Sequence, residues 1–250
     1  MIRGLLRANF CEPHEIIAAE PAEPLRRSLA AQTGIKVTSD NGEVARTTQV
    51  VFLGVKPAVV LSVIHDIAGL IEGKLVVSLA AGIRLHSMEE LAQARFLRAM
   101  TNTPSAVCRA ATAVARGERA SEADVWLLKE IFGAIGEVVE VGEEHIDAVT
   151  ALAGSGPAFV YTVIEALAAG GKATGLPEDV ALRLATQTVL GAAQLALESN
   201  ASPDELRRMV ITPGGTTAAG LAAMDKLGTT EGLVEAVKAA AARGAEMAKL

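Results

Sequence analysis

Two short runs, Gln49-Val50-Val51-Phe52-Leu53-Gly54-Val55 and Lys74-Leu75-Val76-Val77-Ser78-Leu79, constrain the fold of this chain more than any other feature. Past their first residues both are apolar almost throughout rather than at alternate positions. A strand with that pattern is buried on both faces, which means a sheet with helices on either side. The stretch between them reads as a helix opened by Pro57 and running to about Leu70. The alternation extends in both directions. Upstream, Glu15 to Ala19 reads as a strand, Pro24 to Thr33 as a helix closed by Gly34, and Ile35 to Val37 as a short strand. Downstream, Arg95 to Met100 and Ala111 to Ala115 are strand candidates that can pair. Ser121 caps a helix to about Phe132, and Glu137 to Glu140 closes the series. Short apolar strands separated by helices predict an α/β domain with a parallel sheet over residues 1–147.

Residues 148–250 carry no strand pattern. Between Pro157 and Lys172 the only charges are Glu165 and Lys172. In the stretch Glu178 to Glu198, the polar side chains Arg183, Gln187, Gln194 and Glu198 share one face and the rest is almost all apolar. Helices apolar nearly all round are buried on more than one side, and so short a segment cannot hide two of them alone. They predict packing against a second subunit. The composition agrees: half of the 250 residues are apolar, yet only 3% are aromatic, and there are 23 Gly. Small side chains on this scale fit closely packed helices, or backbone that approaches a ligand. Scarce rings and a net charge of -6 argue against a nucleic-acid reader. The longest uncharged stretch near the middle, Ala148 to Ile164, is broken by Gly154-Ser155-Gly156-Pro157 and is shorter than the ~20 residues a membrane span needs. No transmembrane helix and no signal peptide is expected. Cys11 and Cys108 lie far apart and read as free thiols of a reducing, cytoplasmic compartment. His14, His65, His86 and His145 are scattered without metal-ligand spacing, so no metal site is expected.

A sheet of this type binds nucleotides at the carboxyl ends of its strands, usually on a Gly-rich turn after the first strand. That turn is not found in this sequence. Gly154-Ser155-Gly156-Pro157 follows no strand and reads better as a tight turn into a helix. Two strand ends are informative: Val55-Lys56-Pro57, and Ser78-Leu79-Ala80-Ala81-Gly82, whose small residues allow backbone to approach a flat ring. Asn41 follows a strand and is either a helix cap or a ligand contact. Thr212-Pro213-Gly214-Gly215-Thr216-Thr217-Ala218 puts two glycines and two hydroxyls ahead of an Ala-rich helix. Such an N-terminus is either an ordinary capped turn or an anion cradle suited to a carboxylate.

Taken together, these segments resemble the pyrroline-5-carboxylate reductase family. The resemblance is carried by Pro213-Gly214-Gly215-Thr216-Thr217 with the following Met224-Asp225, and by Asp147-Ala148-Val149-Thr150-Ala151-Leu152-Ala153-Gly154-Ser155-Gly156-Pro157-Ala158. Val55-Lys56-Pro57, Ala80-Ala81-Gly82-Ile83 and Arg98-Ala99-Met100-Thr101-Asn102-Thr103-Pro104 match in order. It implies a Rossmann-like domain over 1–147 and an all-α dimerisation and substrate-binding domain over 148–250. It also implies an oxidoreductase that reduces 1-pyrroline-5-carboxylate, a cyclic imine carboxylate, to L-proline with NADPH or NADH, acting as a homodimer or higher homo-oligomer. By the same resemblance, Asn41, Val55, Lys56, Pro57, Ala80 and Ala81 bind the cofactor. Glu143, Gly215, Thr216 and Thr217 bind the substrate, with Thr217 as the catalytic residue. Three departures stand out. A first strand and Gly-rich loop, roughly ten to fifteen residues, are expected ahead of the Met1 to Asn9 helix. Thr101 stands where the family has Pro, and Met209 where a polar residue is common. The first departure leaves a second reading, a truncated, non-catalytic dimerising member that binds no dinucleotide. Cofactor choice is open between Glu20, which could accept from a 2′-hydroxyl, and Arg26 and Arg27, which could meet a 2′-phosphate.

Overall fold

The computed structural model describes residues 1–247. The chain forms two compact units: Met1–Ser155 with the stretch from Ala239 on, and Gly156–Lys238. The sequence expectation places the division after Asp147; the units part after Ser155, and the last helix contributes to both.

The first unit runs α1 (Ile2–Arg7), β1 (Ile17–Ala19), α2 (Glu23–Thr33), β2 (Lys36–Thr38), α3 (Asn41–Thr47), β3 (Val50–Leu53), α4 (Pro57–Ile67) and β4 (Leu75–Ser78). It continues with α5 (Leu85–Glu89), β5 (Arg95–Met100), β6 (Ala110–Arg116), α6 (Glu122–Gly133), β7 (Gly136–Glu140) and α7 (Ile146–Val149). Local chemistry sets the ends. Pro24 sits in the first turn of α2, and Gly34 closes that helix in the left-handed region at φ 71°. Ser121 caps α6 in a reciprocal box with Asp124. β1 and β2 pair in parallel, and β3-β4-β5-β6-β7 form a five-stranded sheet. Its two faces carry separate cores. Val51, Val76, Phe96 and Ile146 lie in one; Leu75, Val77, Leu97, Leu128 and Phe132 lie in the other. The expectation of strands covered on both faces therefore holds for β4, whose four residues are all buried.

One pairing corrects the expected all-parallel sheet: β5 and β6 run antiparallel, Leu97 opposite Arg116 and Met100 opposite Ala113. Only residues 101–109 connect them, too few for a parallel crossover with its helix. That connection contains a tight 3-10 turn, Thr103–Val107, on which α1 rests. A Cβ on Gly4 of α1 would stand 2.0 Å from Ser105 O and 3.0 Å from Ile135 Cγ2. Gly4→Ala should destabilise the unit by about 3 kcal/mol, read as a lowered urea midpoint at unchanged slope.

Past α7 the helix widens into a π segment, Thr150–Gly154, in which Ser155 N–H donates to Thr150 O at 2.9 Å. This replaces the tight turn expected at Gly154-Ser155-Gly156-Pro157. The second unit contains α8 (Gly156–Ala173), α9 (Glu178–Glu198), α10 (Pro203–Met209), α11 (Thr216–Lys226) and the start of α12 (Thr229–Met247). Gly171 lets α8 approach α9 closely, since a Cβ there would meet Ala181 Cβ at 3.2 Å. Ala181 and Ala185 are the buried residues of α9, while Leu184, Leu190 and Leu195 are more than half exposed. The helical runs Glu143–Ala173, 31 residues, and Glu178–Glu198, 21 residues, are long and apolar enough to cross a membrane by length and composition. The uncharged stretch Ala148 to Ile164 makes up only part of the first of these runs.

Candidate active site

The strand-end residues come together because β3 and β4 are adjacent and parallel, with Leu53 opposite Ser78. Both chains therefore leave the sheet at the same edge. Val55 and Lys56 follow β3, Lys56 is the N-cap of α4, and Pro57 is that helix's first residue. Ala80 and Ala81 follow β4. Ala80 is buried, and its N–H donates to Ser78 Oγ at 3.3 Å. Gly82 then turns the chain at φ 77°. No atom lies within 4 Å of a Cβ placed on Gly54. Small side chains and open space at one strand edge leave backbone accessible to a flat ring. Asn41 opens α3 after β2, and α3 packs on α4. Asn41 is not the cap: Asp40 is, accepting from Gly42 N–H at 2.7 Å. Near the end of β1, Arg26 Nη1 is taken up by the carbonyls of Glu20 and Pro21 at 2.9 and 2.6 Å, and Arg27 pairs with Glu23. Glu20 Oε1 accepts from Ala22 N–H at 2.9 Å.

Glu143 begins a 3-10 turn, Glu143–His145, just before α7. Its Oε1 accepts from the Leu85 backbone N–H at 2.6 Å and from Arg98 Nη1 at 3.1 Å. Beside them Arg84 pairs with Asp147 at 2.9 Å. Sequence reading assigned no role to Arg98, Arg84 or Asp147. The available signal was a charged residue in the middle of β5, an otherwise buried strand. Asn102 was missed in the same way. Its Nδ2 donates to Ala153 O at 3.1 Å and its Oδ1 accepts from Ala111 N–H at 3.1 Å, which ties the π segment to β6.

In the second unit, Gly214 turns the chain at φ 73° and Gly215 is the N-cap of α11, with no side-chain cap. The Gly215 N–H is committed to Thr212 O at 2.9 Å. The N–H groups of Thr216, Thr217 and Ala218 have no acceptor among the described residues, and the two threonine hydroxyls also make no hydrogen bond there. The free donors thus lie one residue later than the Gly215-Thr216-Thr217 cradle expected from the sequence. They form a first-turn array that favours an anion. Among the described residues no cluster of His, Cys, Asp and Glu could hold a metal ion.

Residues 143–247 match the family described as pyrroline-5-carboxylate reductase dimerisation, and residues 1–82 match one described as NADP oxidoreductase, coenzyme F420-dependent. The pyrroline-5-carboxylate reductase of Pisum sativum is 44% identical over 247 residues, which cover 98% of this chain and 90% of that protein. The structure of a pyrroline-5-carboxylate reductase from Coxiella burnetii superposes with a TM-score of 0.90 at 34% identity, covering 100% of this chain and 94% of that one. The Plasmodium falciparum pyrroline carboxylate reductase with NADP bound gives a TM-score of 0.89 at 27% identity, covering 99% and 92%.

Proposed function

The chain belongs to the pyrroline-5-carboxylate reductase family, and from that premise we propose that it reduces 1-pyrroline-5-carboxylate to L-proline with NADPH or NADH, the last step of proline biosynthesis. The observation that carries this reading is the 44% identity to such a reductase across 98% of the chain. Residues 1–147 form the dinucleotide-binding domain in this reading, and residues 148–250 the helical domain that binds substrate and dimerises.

The residues at the β3 and β4 ends fit a nicotinamide dinucleotide, because small side chains and the open space beside Gly54 admit a flat ring. Asn41, Val55, Lys56, Pro57, Ala80 and Ala81 would hold it. When bound, the dinucleotide supplies the hydride for the C=N carbon. The N–H groups of Thr216 and Thr217 bind the substrate carboxylate, helped by the positive end of α11. Gly215, with no side chain at the N-cap, leaves the approach open. The Thr217 hydroxyl hydrogen-bonds the ring nitrogen as it becomes an amine, the proton that this nitrogen gains being drawn from solvent, and the family resemblance makes Glu143 a substrate contact as well.

The exposed apolar helices α8 and α9 pack against a second copy of the chain, so the working form is a homodimer or higher homo-oligomer, and it is cytoplasmic. The test uses purified full-length chain, titrated with NADPH and NADH and then given 1-pyrroline-5-carboxylate. Saturable binding of either dinucleotide, with loss of nicotinamide absorbance only when the imine is added, is expected. Absence of dinucleotide binding would instead favour a non-catalytic dimerising protein.

A further inference from the structure

We infer that Arg98 is a positioning residue of the substrate site, which holds the Glu143 carboxylate by one oxygen and leaves the other free for the substrate. The inference rests on the reading of Glu143 as a substrate contact.

Arg98 is the fourth residue of β5 and is 1% exposed. It shares its face of the sheet with Phe96 and Met100, over a core that includes Val76, Ala113 and Ile146. Of its guanidinium nitrogens, Nη1 reaches Glu143 Oε1 at 3.1 Å, while Nε and Nη2 are buried with no partner among the described residues. Burial pulls its pKa down, and the Glu143 hydrogen bond and charge oppose that pull. Stability alone does not account for such a group. A buried guanidinium with donors left unpaired costs folding free energy, and an apolar chain of similar volume would fill the space without that cost.

What the arrangement does achieve lies at Glu143. Its Oε1 receives two donors from separate parts of the fold, the Leu85 N–H that opens α5 at 2.6 Å and Arg98 from β5. Two fixed donors on one oxygen set the plane of the carboxylate. Its Oε2 has no hydrogen-bond partner among the described residues, and the side chain is 26% exposed. The charged groups facing Arg98 are Glu143, Asp147 and Arg84, and Arg84 is already paired with Asp147. The four charges cancel, so the charge of the Glu143 carboxylate is compensated from inside the protein. A carboxylate held this way needs no reordering when substrate arrives.

The test measures KM and kcat for 1-pyrroline-5-carboxylate, and the thermal midpoint, in full-length Arg98→Met, Arg98→Lys, Glu143→Gln and the double variant Arg98→Met/Glu143→Gln. Arg98→Met should raise KM about tenfold, the worth of one charge-assisted hydrogen bond, with a lowered midpoint because the Glu143 carboxylate loses its compensating charge, and the double variant should recover part of that midpoint. Arg98→Lys, which keeps the charge and loses the fork, should give an intermediate KM. In the Glu143→Gln background, Arg98→Met should change KM no further. An unchanged KM in Arg98→Met, or effects that multiply in the double variant, would overturn the role of Arg98. Should Arg98→Met not fold, an Arg98→Lys enzyme with the parent's KM would overturn it equally. Glu143→Gln with an unchanged KM overturns instead the reading of Glu143, so the two failures are distinct.

Discussion

Thr217→Ala is expected to lower kcat/KM for 1-pyrroline-5-carboxylate about a hundredfold, the loss typical of a single donor aimed at a reacting centre. The expected cost in folding stability is under ~0.5 kcal/mol, because the substitution removes no hydrogen bond of the folded chain and leaves the Cβ in place. Both halves of that statement come from the same geometry. Gly215, not Thr217, is the N-cap of α11, and the Thr217 hydroxyl makes no hydrogen bond among the described residues. A capping threonine would instead lose about 1 kcal/mol on truncation to alanine. Steady-state kinetics with a urea titration on the same protein separates the two roles. Thr217→Ser, which keeps the hydroxyl, should stay within a few-fold of the parent. Parent-like turnover in Thr217→Ala, or a stability loss with no kinetic change, would remove the hydroxyl from the proposed mechanism.

The second large effect concerns α9. Leu184 and Leu195 are eleven residues apart, about three helical turns, and share one face; Leu190 and Leu197 are seven apart, about two turns, and share another. All four are more than half exposed in the single chain, Leu197 to 78%. A flat docking surface covers one face of a helix, whereas two uncovered faces call for a partner that interlocks. Leu190→Glu and Leu184→Glu each place a carboxylate where the proposed partner would bury apolar surface. Each is expected to weaken the dimer a hundredfold or more, roughly the cost of burying one unpaired charge. Sedimentation or light scattering over a range of concentrations measures it. Variants that keep the parent's mass at every concentration would contradict the interlocked dimer. So would a parent chain that is monomeric in water and partitions into lipid vesicles.

Much of this was legible before the fold was known, because it depends on local rules. Continuous apolar runs gave β3 and β4, Pro57 and Gly34 marked helix ends, and Ser121 announced its capping box. The apolar surround of α9 pointed to a second subunit. What stayed hidden depends on chain length between elements and on partners distant in sequence. The antiparallel turn from β5 to β6 follows from a connection too short for a crossover, a constraint that strand pattern alone does not express. The π segment at Thr150–Gly154 is held by Asn102, about fifty residues earlier, so no local motif betrays it. The position of the free N–H groups at Thr216 to Ala218 turned on one backbone bond, Gly215 to Thr212. Arg98 was visible as the first residue of the Arg98 to Pro104 motif and as a charge out of place in a buried strand, but its link to Glu143 spans 45 residues and no local pattern shows it.

The most direct test of the central claim is product stoichiometry. Full-length chain is incubated with 1-pyrroline-5-carboxylate and a limiting amount of NADPH or NADH, and the L-proline formed is quantified against the dinucleotide oxidised. One proline for each dinucleotide oxidised is the predicted result. Dinucleotide oxidation without proline, or no oxidation with either dinucleotide, would contradict the account.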